Sequence, residues 1–97
     1  MPKAYWIAHI QVNDPDRYKA YAAEAFRIVG EFGGRYLARA GQTDPVEAGD
    51  LPPRHVIVEF ESMEKARACY NSPAYQKART IRQAASTGNL LILEGAD

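Results

Sequence analysis

The chain of 97 residues has little of what would place a protein in a class at once: one cysteine, no net charge and no apolar run of membrane-spanning length. Cys69 alone cannot form an internal disulfide, and a lone thiol suits a reducing compartment. Twelve Lys and Arg balance twelve Asp and Glu and are scattered, which argues against nucleic-acid and membrane surfaces. The N-terminus leads directly into a strand pattern, so we expect no secretion signal. We expect a cytoplasmic protein with neither nucleic acid nor membrane as partner.

Glycine loops and metal-ligand clusters are also missing. Gly33-Gly34 follows a helix pattern, whereas a phosphate-binding glycine loop opens a helix. Two histidines and a carboxylate are enough for an iron triad, but nothing in the spacing of His9, His55 and Glu59 makes them converge. We therefore expect no cofactor and no metal.

What the sequence does contain is a polar alternation in its two best strand patterns, 4–12 and 55–60. Successive strand residues point to opposite faces of a sheet. Each strand then has one apolar face, made of Trp6, Ala8, Ile10 and Val12, and of Val56, Val58 and Phe60. The other face is mixed and holds Tyr5, Ile7, His9 and Gln11, and His55, Ile57 and Glu59. A helix-covered core needs only the apolar face, so the polar side chains point to a site or an interface.

The remaining elements follow from caps and periodicity. Asp14-Pro15 starts a helix, whose apolar stripe from Tyr18 to Phe32 recurs at steps of three and four. Gly33-Gly34 ends it. Further elements are a strand over 35–41, a polar turn, the strand 55–60, a helix from Ser62 to about 71, a second helical segment over 73–85 after a break at Ser72-Pro73, a turn over 86–89 and a short buried strand over 90–93.

This order, β-α-β-β-α-β, predicts a ferredoxin-like α+β fold in one domain spanning residues 1–97. The sheet has four antiparallel strands with two helices on one face, and the strands 4–12 and 55–60 are its central pair. The open face carries Tyr5, Ile7 and Ile57 and is too apolar for water alone. We expect a homodimer through this face, which closes a barrel-like enclosure.

The segments YWIAHI, DPDRYKAY, FGGRYLARAG, RHVIVEF, CYNSPAY and LEG resemble the domain-of-unknown-function 1330 family in order and spacing over nearly the whole chain. That family belongs to the dimeric α+β barrel superfamily, so the resemblance implies the same fold and a homodimer. It implies no particular reaction. Superfamily relatives include cofactor-independent monooxygenases, haem-degrading enzymes and lactone isomerases, with sites between sheet and helices or within the barrel.

The candidate catalytic residues are His9, His55 and Glu59. Histidine exchanges protons near neutral pH, and Glu59 is placed to orient an imidazole if the three converge. The alternative is a pair of histidines hydrogen-bonded at a dimer seam. Cys69 lies in the middle of a helix pattern and is interpreted as buried filler.

The candidate substrate-binding residues are Tyr5, Gln11, Arg39, Tyr70 and Arg82. An arginine fork binds a carboxylate or phosphate. Arg39 alternates with Leu37 and Arg35, which places it on the face of His9, and Arg82 borders a possible pocket on its helix. The resemblance implies an arginine at the latter position. The tyrosines at 18, 21, 70 and 75 point inward as core, and one or two of them can line a pocket for a planar ligand.

Three functions fit these residues. The first is a cofactor-independent acid/base enzyme, of isomerase or monooxygenase type, acting on a compact organic molecule. The second is a non-catalytic ligand-binding or structural dimer. The third, an RNA-binding module on the ferredoxin-like sheet, is disfavoured because His55, Ile57 and Glu59 stand where stacking aromatics are needed.

Overall fold

The computed structural model describes residues 2–96. Its elements are β1 (Ala4–Val12), α1 (Pro15–Glu31), β2 (Arg35–Arg39), β3 (Arg54–Phe60), α2 (Met63–Asn71), α3 (Pro73–Ala85) and β4 (Ser86–Glu94). The strands form one antiparallel sheet in the order β2-β3-β1-β4. The predicted ferredoxin-like fold is confirmed, with β1 and β3 as the central pair.

Side-chain caps fix the N-terminal end of each helix. Asp14 Oδ1 accepts a hydrogen bond from the Arg17 amide at 3.3 Å, and Pro15 opens α1. Ser62 Oγ caps α2 in the same way, accepting from the Lys65 amide at 3.2 Å. Ser72 Oγ accepts from the Tyr75 amide at 3.2 Å and so starts α3, with Ser72 the single residue between α2 and α3. The predicted break is therefore a separate helix start.

The core lies between the helices and the apolar face of the sheet. Trp6 is central to it: its ring centroid is 5.1 Å from that of Phe60 and 4.9 Å from that of Tyr75. Its Nε1 donates to the carbonyl oxygen of Ala66 at 3.1 Å, so the indole is both packed and hydrogen-bonded. This arrangement joins β1 to α2 and α3.

Strand β4 departs from the prediction in two ways. The predicted turn over 86–89 is wrong, because β4 begins at Ser86 and pairs with the whole of β1. A Cβ on Gly88 would collide with the backbone of His9, so this glycine permits close pairing of strands and does not mark a turn. Nor is the strand buried. It lies at the sheet edge, with Leu91 and Leu93 48% and 53% exposed on the uncovered face.

Within residues 2–96, no helix is both long and apolar enough to cross a membrane.

Candidate functional site

The two histidines are neighbours on the uncovered face. His9 of β1 lies opposite His55 of β3, and their Nδ1 atoms are 2.9 Å apart with the rings nearly perpendicular at 72°. Such a contact needs one proton between the two nitrogens, because one ring must donate and the other accept. The alternation implies that the two histidines are neighbours, and the structure places them side by side. Each imidazole is the hydrogen-bond partner of the other.

Glu59 does not reach this pair. It lies four residues along β3 from His55, roughly 13 Å at the usual rise of a strand. Its carboxylate instead takes hydrogen bonds from Arg35 at 3.2 Å and from the Tyr5 hydroxyl at 3.5 Å, and lies 3.8 Å from Lys3 Nζ. The interpretation of Glu59 as the group that orients a histidine is wrong. Tyr5 is held in the same cluster.

Gln11 stands apart from these groups. Its side chain is exposed, and Nε2 donates to the neighbouring Val12 carbonyl at 3.4 Å. The polar residues of the uncovered face are thus spread along the sheet and satisfy one another, and they do not converge on one volume.

A β-bulge changes the face on which Arg39 lies. Arg35 pairs with Glu59 and Tyr36 with Val58, but the register then shifts, so that Ala38 pairs with Ile57 and Arg39 with Val56. Arg39 therefore shares the face of Val56, under the helices, and the prediction that it shares the face of His9 is wrong. Bulges re-aim side chains in this way beside functional sites.

A half-enclosed cleft of about 40 Å³ lies between α1, α3 and this covered face. One water needs roughly 10–15 Å³ by the same measure, so the cleft has room for a few non-hydrogen atoms. Its floor and walls are mostly apolar: Trp6, Ala8, Ile10, Ala22, Ala25, Val56, Val58 and Leu90. Its polar lining consists of three tyrosines and three arginines, namely Tyr18, Tyr21, Tyr36, Arg39, Arg54 and Arg82.

Each arginine of the cleft lies over an aromatic ring. The guanidinium carbon of Arg39 is 4.5 Å from the ring centroid of Phe26, that of Arg54 is 4.9 Å from Tyr18, and that of Arg82 is 5.9 Å from Tyr21. These are cation–π distances. No carboxylate of residues 2–96 lies within 4.0 Å of any of the three, and none lines the cleft. The cleft is a positively charged, aromatic-lined site.

A buried pair of hydroxyls closes one side. Tyr21 Oη and Tyr75 Oη are 2.7 Å apart, and Arg82 Nη1 donates to Tyr75 Oη at 3.4 Å. Burial raises the pKa of both phenols, and it raises the pKa of Tyr36 to about 12. All three stay protonated near neutral pH and act as hydrogen-bond donors, not as bases.

Sequence reasoning found part of this site. Arg82, Tyr18 and Tyr21 line the cleft, and their proposed role in binding stays a prediction. Tyr70 does not line it: its ring packs 6.2 Å from that of Trp6 and 5.4 Å from that of Tyr75. Arg54 was not selected from the sequence, because the strand was predicted to begin at residue 55, whereas β3 begins at Arg54. Its alternation with Val56 was the signal.

Other chemistry has little support among the described residues. Nowhere in residues 2–96 do three His, Cys, Asp or Glu side chains come together as metal ligands. Cys69 is fully buried, and burial raises the pKa of its thiol to about 12. It is therefore not a nucleophile at neutral pH.

The sequence matches the family model "Domain of unknown function (DUF1330)" over residues 3–96. Because the match covers nearly the whole chain, the protein belongs to this family. No curated protein matches the sequence.

Solved structures share the fold at low identity. A protein of unknown function from Rhodopseudomonas palustris is 16% identical, with a TM-score of 0.78 over 99% of this chain and 84% of its own. A dimeric ferredoxin-like protein of unknown function from Jannaschia is 16% identical, with a TM-score of 0.74 over 95% and 96%. SnoaB, a cofactor-independent oxygenase from Streptomyces nogalater, is 10% identical, with a TM-score of 0.68 over 100% and 96%. These likenesses establish the fold.

Proposed function

We propose that this protein is a homodimer that binds a compact organic molecule in the cleft between sheet and helices. The observation that carries the proposal is the cleft itself. It combines an apolar floor with a few convergent donors, as small-molecule sites do. A single buried free cysteine is consistent with the cytoplasmic location that we include in the proposal.

Binding is favoured over acid/base catalysis by the kinds of side chain present. The cleft offers arginines, which stay charged, and tyrosines, of which Tyr21 and Tyr36 have raised pKa values. None of them accepts a proton near pH 7. The histidine pair lies on the other face of the sheet, so His9, His55 and Glu59 are better explained as interface residues than as a catalytic group. A cofactor-independent oxygenase, the activity that SnoaB's description gives, is the second candidate, since a cationic cleft stabilises a substrate anion.

Dimerisation is supported by the uncovered face of the sheet. Leu91 and Leu93 are 48% and 53% exposed there, beside the half-buried Ile7 and Ile57. Two structures with this fold are described as dimeric. A contiguous apolar patch on a sheet is what a second copy covers.

The dimer is tested by sedimentation of Leu91→Glu at several concentrations. A charge in the middle of a buried interface is strongly unfavourable, so we expect the variant to sediment as a monomer. Val46→Glu is the matched control, because Val46 is 81% exposed in the loop between β2 and β3. If the wild-type protein is itself a monomer at tens of micromolar, the dimer proposal fails.

The cleft is tested with Ala8→Leu. Ala8 lies at the centre of the floor, next to Val56 on β3 and Leu90 on β4, and a longer side chain there fills the space. Compact organic fragments are screened by backbone amide shifts in NMR spectra. We expect the hits to shift cleft residues in the wild type and not in Ala8→Leu, whereas Ala23→Leu on the exposed side of α1 behaves as wild type. Unchanged binding to Ala8→Leu would place the ligand elsewhere.

A further inference from the structure

We propose that the ligand of the cleft is a compact organic carboxylate, held by the guanidinium groups of Arg54 and Arg82 and by the hydroxyl of Tyr21. This inference rests on the proposed binding function and names its ligand class. The family to which the chain belongs is a domain of unknown function and assigns no ligand to these residues.

The first argument is charge. Arg17, Arg27 and Arg35 each lie within 4.0 Å of a carboxylate on the same chain. Arg54 and Arg82 are half-buried in the cleft and have no such partner within residues 2–96. A half-buried cation without a counter-charge is costly. An anionic ligand supplies the missing charge.

The second argument is an unpaired donor. Arg54 Nε is fully buried and has no hydrogen-bond partner within the described chain. Arg79 Nε shares this property, but Arg79 lies outside the cleft and its Nη1 donates to Gln76 at 3.0 Å. Arg54 has no side-chain hydrogen bond in residues 2–96 and faces the cleft, and buried donors without partners are rare. The guanidinium group of Arg54 is therefore free to bind a ligand.

The third argument is the direction of the hydroxyl chain. Arg82 Nη1 donates to Tyr75 Oη, and either hydroxyl of the Tyr21–Tyr75 pair can donate to the other. In the arrangement that we propose, Tyr75 donates to Tyr21, so Tyr21 keeps its own hydrogen as a donor, and Tyr21 is the member of the pair that lines the cleft. Burial raises its pKa, so this donor persists across the physiological range. The guanidinium groups of Arg54 and Arg82 and the hydroxyl of Tyr21 together form a set of hydrogen-bond donors that matches a carboxylate.

A carboxylate fits better than a phosphate. The cleft is small, its floor is apolar, and its arginines lie over aromatic rings, which suits a flat anionic head on an apolar body. Phosphate sites usually add backbone amides from a glycine loop or a helix start. The residues that line this cleft instead lie within strands and helices.

Arg39 belongs at the mouth of the site. It is exposed, follows the bulge and precedes Ala40, whose φ of +56° is unusual for a residue other than glycine. Its guanidinium carbon lies over the adjacent rings of Phe26 and Tyr36, at 4.5 and 5.2 Å from their centroids. We assign Arg39 to the outer end of the ligand, where solvent weakens its charge.

The experiment compares acids with their uncharged amides by calorimetry and NMR. The probes are acetate and propanoate, acetamide and propanamide, and inorganic phosphate. We expect each acid to bind at least tenfold more tightly than its amide and than phosphate. Arg54→Gln and Arg82→Lys should each weaken acid binding about tenfold or more, because a charge-assisted hydrogen bond is lost. Arg67→Gln, which removes an exposed arginine, should bind as wild type.

The outcomes separate this inference from the proposed function. If amides bind in the cleft as tightly as acids, the cleft is a small-molecule site and the carboxylate inference fails. Equal or tighter binding of phosphate also overturns it, as does full acid binding by a folded Arg54→Gln. If no probe or fragment shifts the cleft residues, both proposals fail. Arg82 is replaced by lysine and not by glutamine because Arg82→Lys keeps the positive charge. Arg82→Lys therefore remains informative even if loss of the contact with Tyr75 would unfold Arg82→Gln.

Discussion

Arg54 should make the ligand-free protein less stable than it would be without this arginine. A buried donor without a partner costs about 1–3 kcal/mol, and Arg54 Nε is such a donor. The cation–π contact with Tyr18 at 4.9 Å returns about 0.5–1 kcal/mol at a partly exposed site. Arg54→Met keeps an unbranched apolar stem and removes both effects. We expect its free energy of unfolding to rise by about 1 kcal/mol, the difference between these two effects.

The assay is urea unfolding at one fixed protein concentration, since the stability of the proposed dimer would depend on concentration. For a domain of this size, 1 kcal/mol corresponds to a rise of about 4–8 °C in Tm. A bound carboxylate should reverse the ranking. At one hundred times its Kd it stabilises the wild type by about 2.7 kcal/mol and leaves Arg54→Met almost unaffected. If Arg54→Met is less stable than wild type without ligand, Arg54 is a packing residue and the reasoning is refuted.

Three further predictions concern the scaffold. A Cβ on Gly34 would lie 2.5 Å from Val29 Cγ1 and 2.8 Å from Phe60 Cε1, both fully buried, so Gly34→Ala should lower the unfolding free energy by about 1–3 kcal/mol. Gly30→Ala, with nothing within 4 Å of the new carbon, should instead raise it by about 0.5–1 kcal/mol in the same denaturation assay. Cys69 should resist alkylation until the protein unfolds. Because burial raises its pKa from 9.0 to about 12, the folded thiol keeps its proton where the unfolded one loses it, and its contribution to stability falls as pH rises through that window. Rapid alkylation of the native protein at pH 8, or no change in that contribution between pH 9 and 12 when wild type is compared with Cys69→Ala, would contradict this.

The fold was predictable because independent local signals agreed. Asp14, Ser62 and Ser72 each cap the helix that follows, and the alternation in β1 assigns its two faces correctly. The start of β4 was not predictable in the same way. Ser, Thr, Gly and Asn are turn residues by composition, but the nine residues of β1 offer a long edge for pairing. Tertiary pairing outweighed local preference there.

The site was less predictable, for two physical reasons. Strict alternation places Arg39 beside His9, and no glycine or proline in β2 announces the bulge that moves it. Glu59 shares a face with His55, yet sharing a face does not bring together residues that lie four positions apart on an extended strand. In β1 and β3 the pattern identified the correct faces, and the packing of α1 and α3 determined which face holds the cleft.

The bulge in β2 has a consequence for how this protein can change. On one side of the bulge, Arg35 reaches Glu59 on the face proposed to meet the second subunit, and on the other side Arg39 lies at the cleft. Removing one residue at 37 or 38 would take out the bulge and leave Arg35 opposite Glu59 and Arg39 opposite Val56, so each arginine would keep its face. This five-residue strand can therefore lose one residue without moving a positive charge between the proposed dimer face and the cleft. Restoring plain alternation at the present length would instead turn Arg39 to the face of His9, so the extra residue is what keeps one arginine on each side of the sheet.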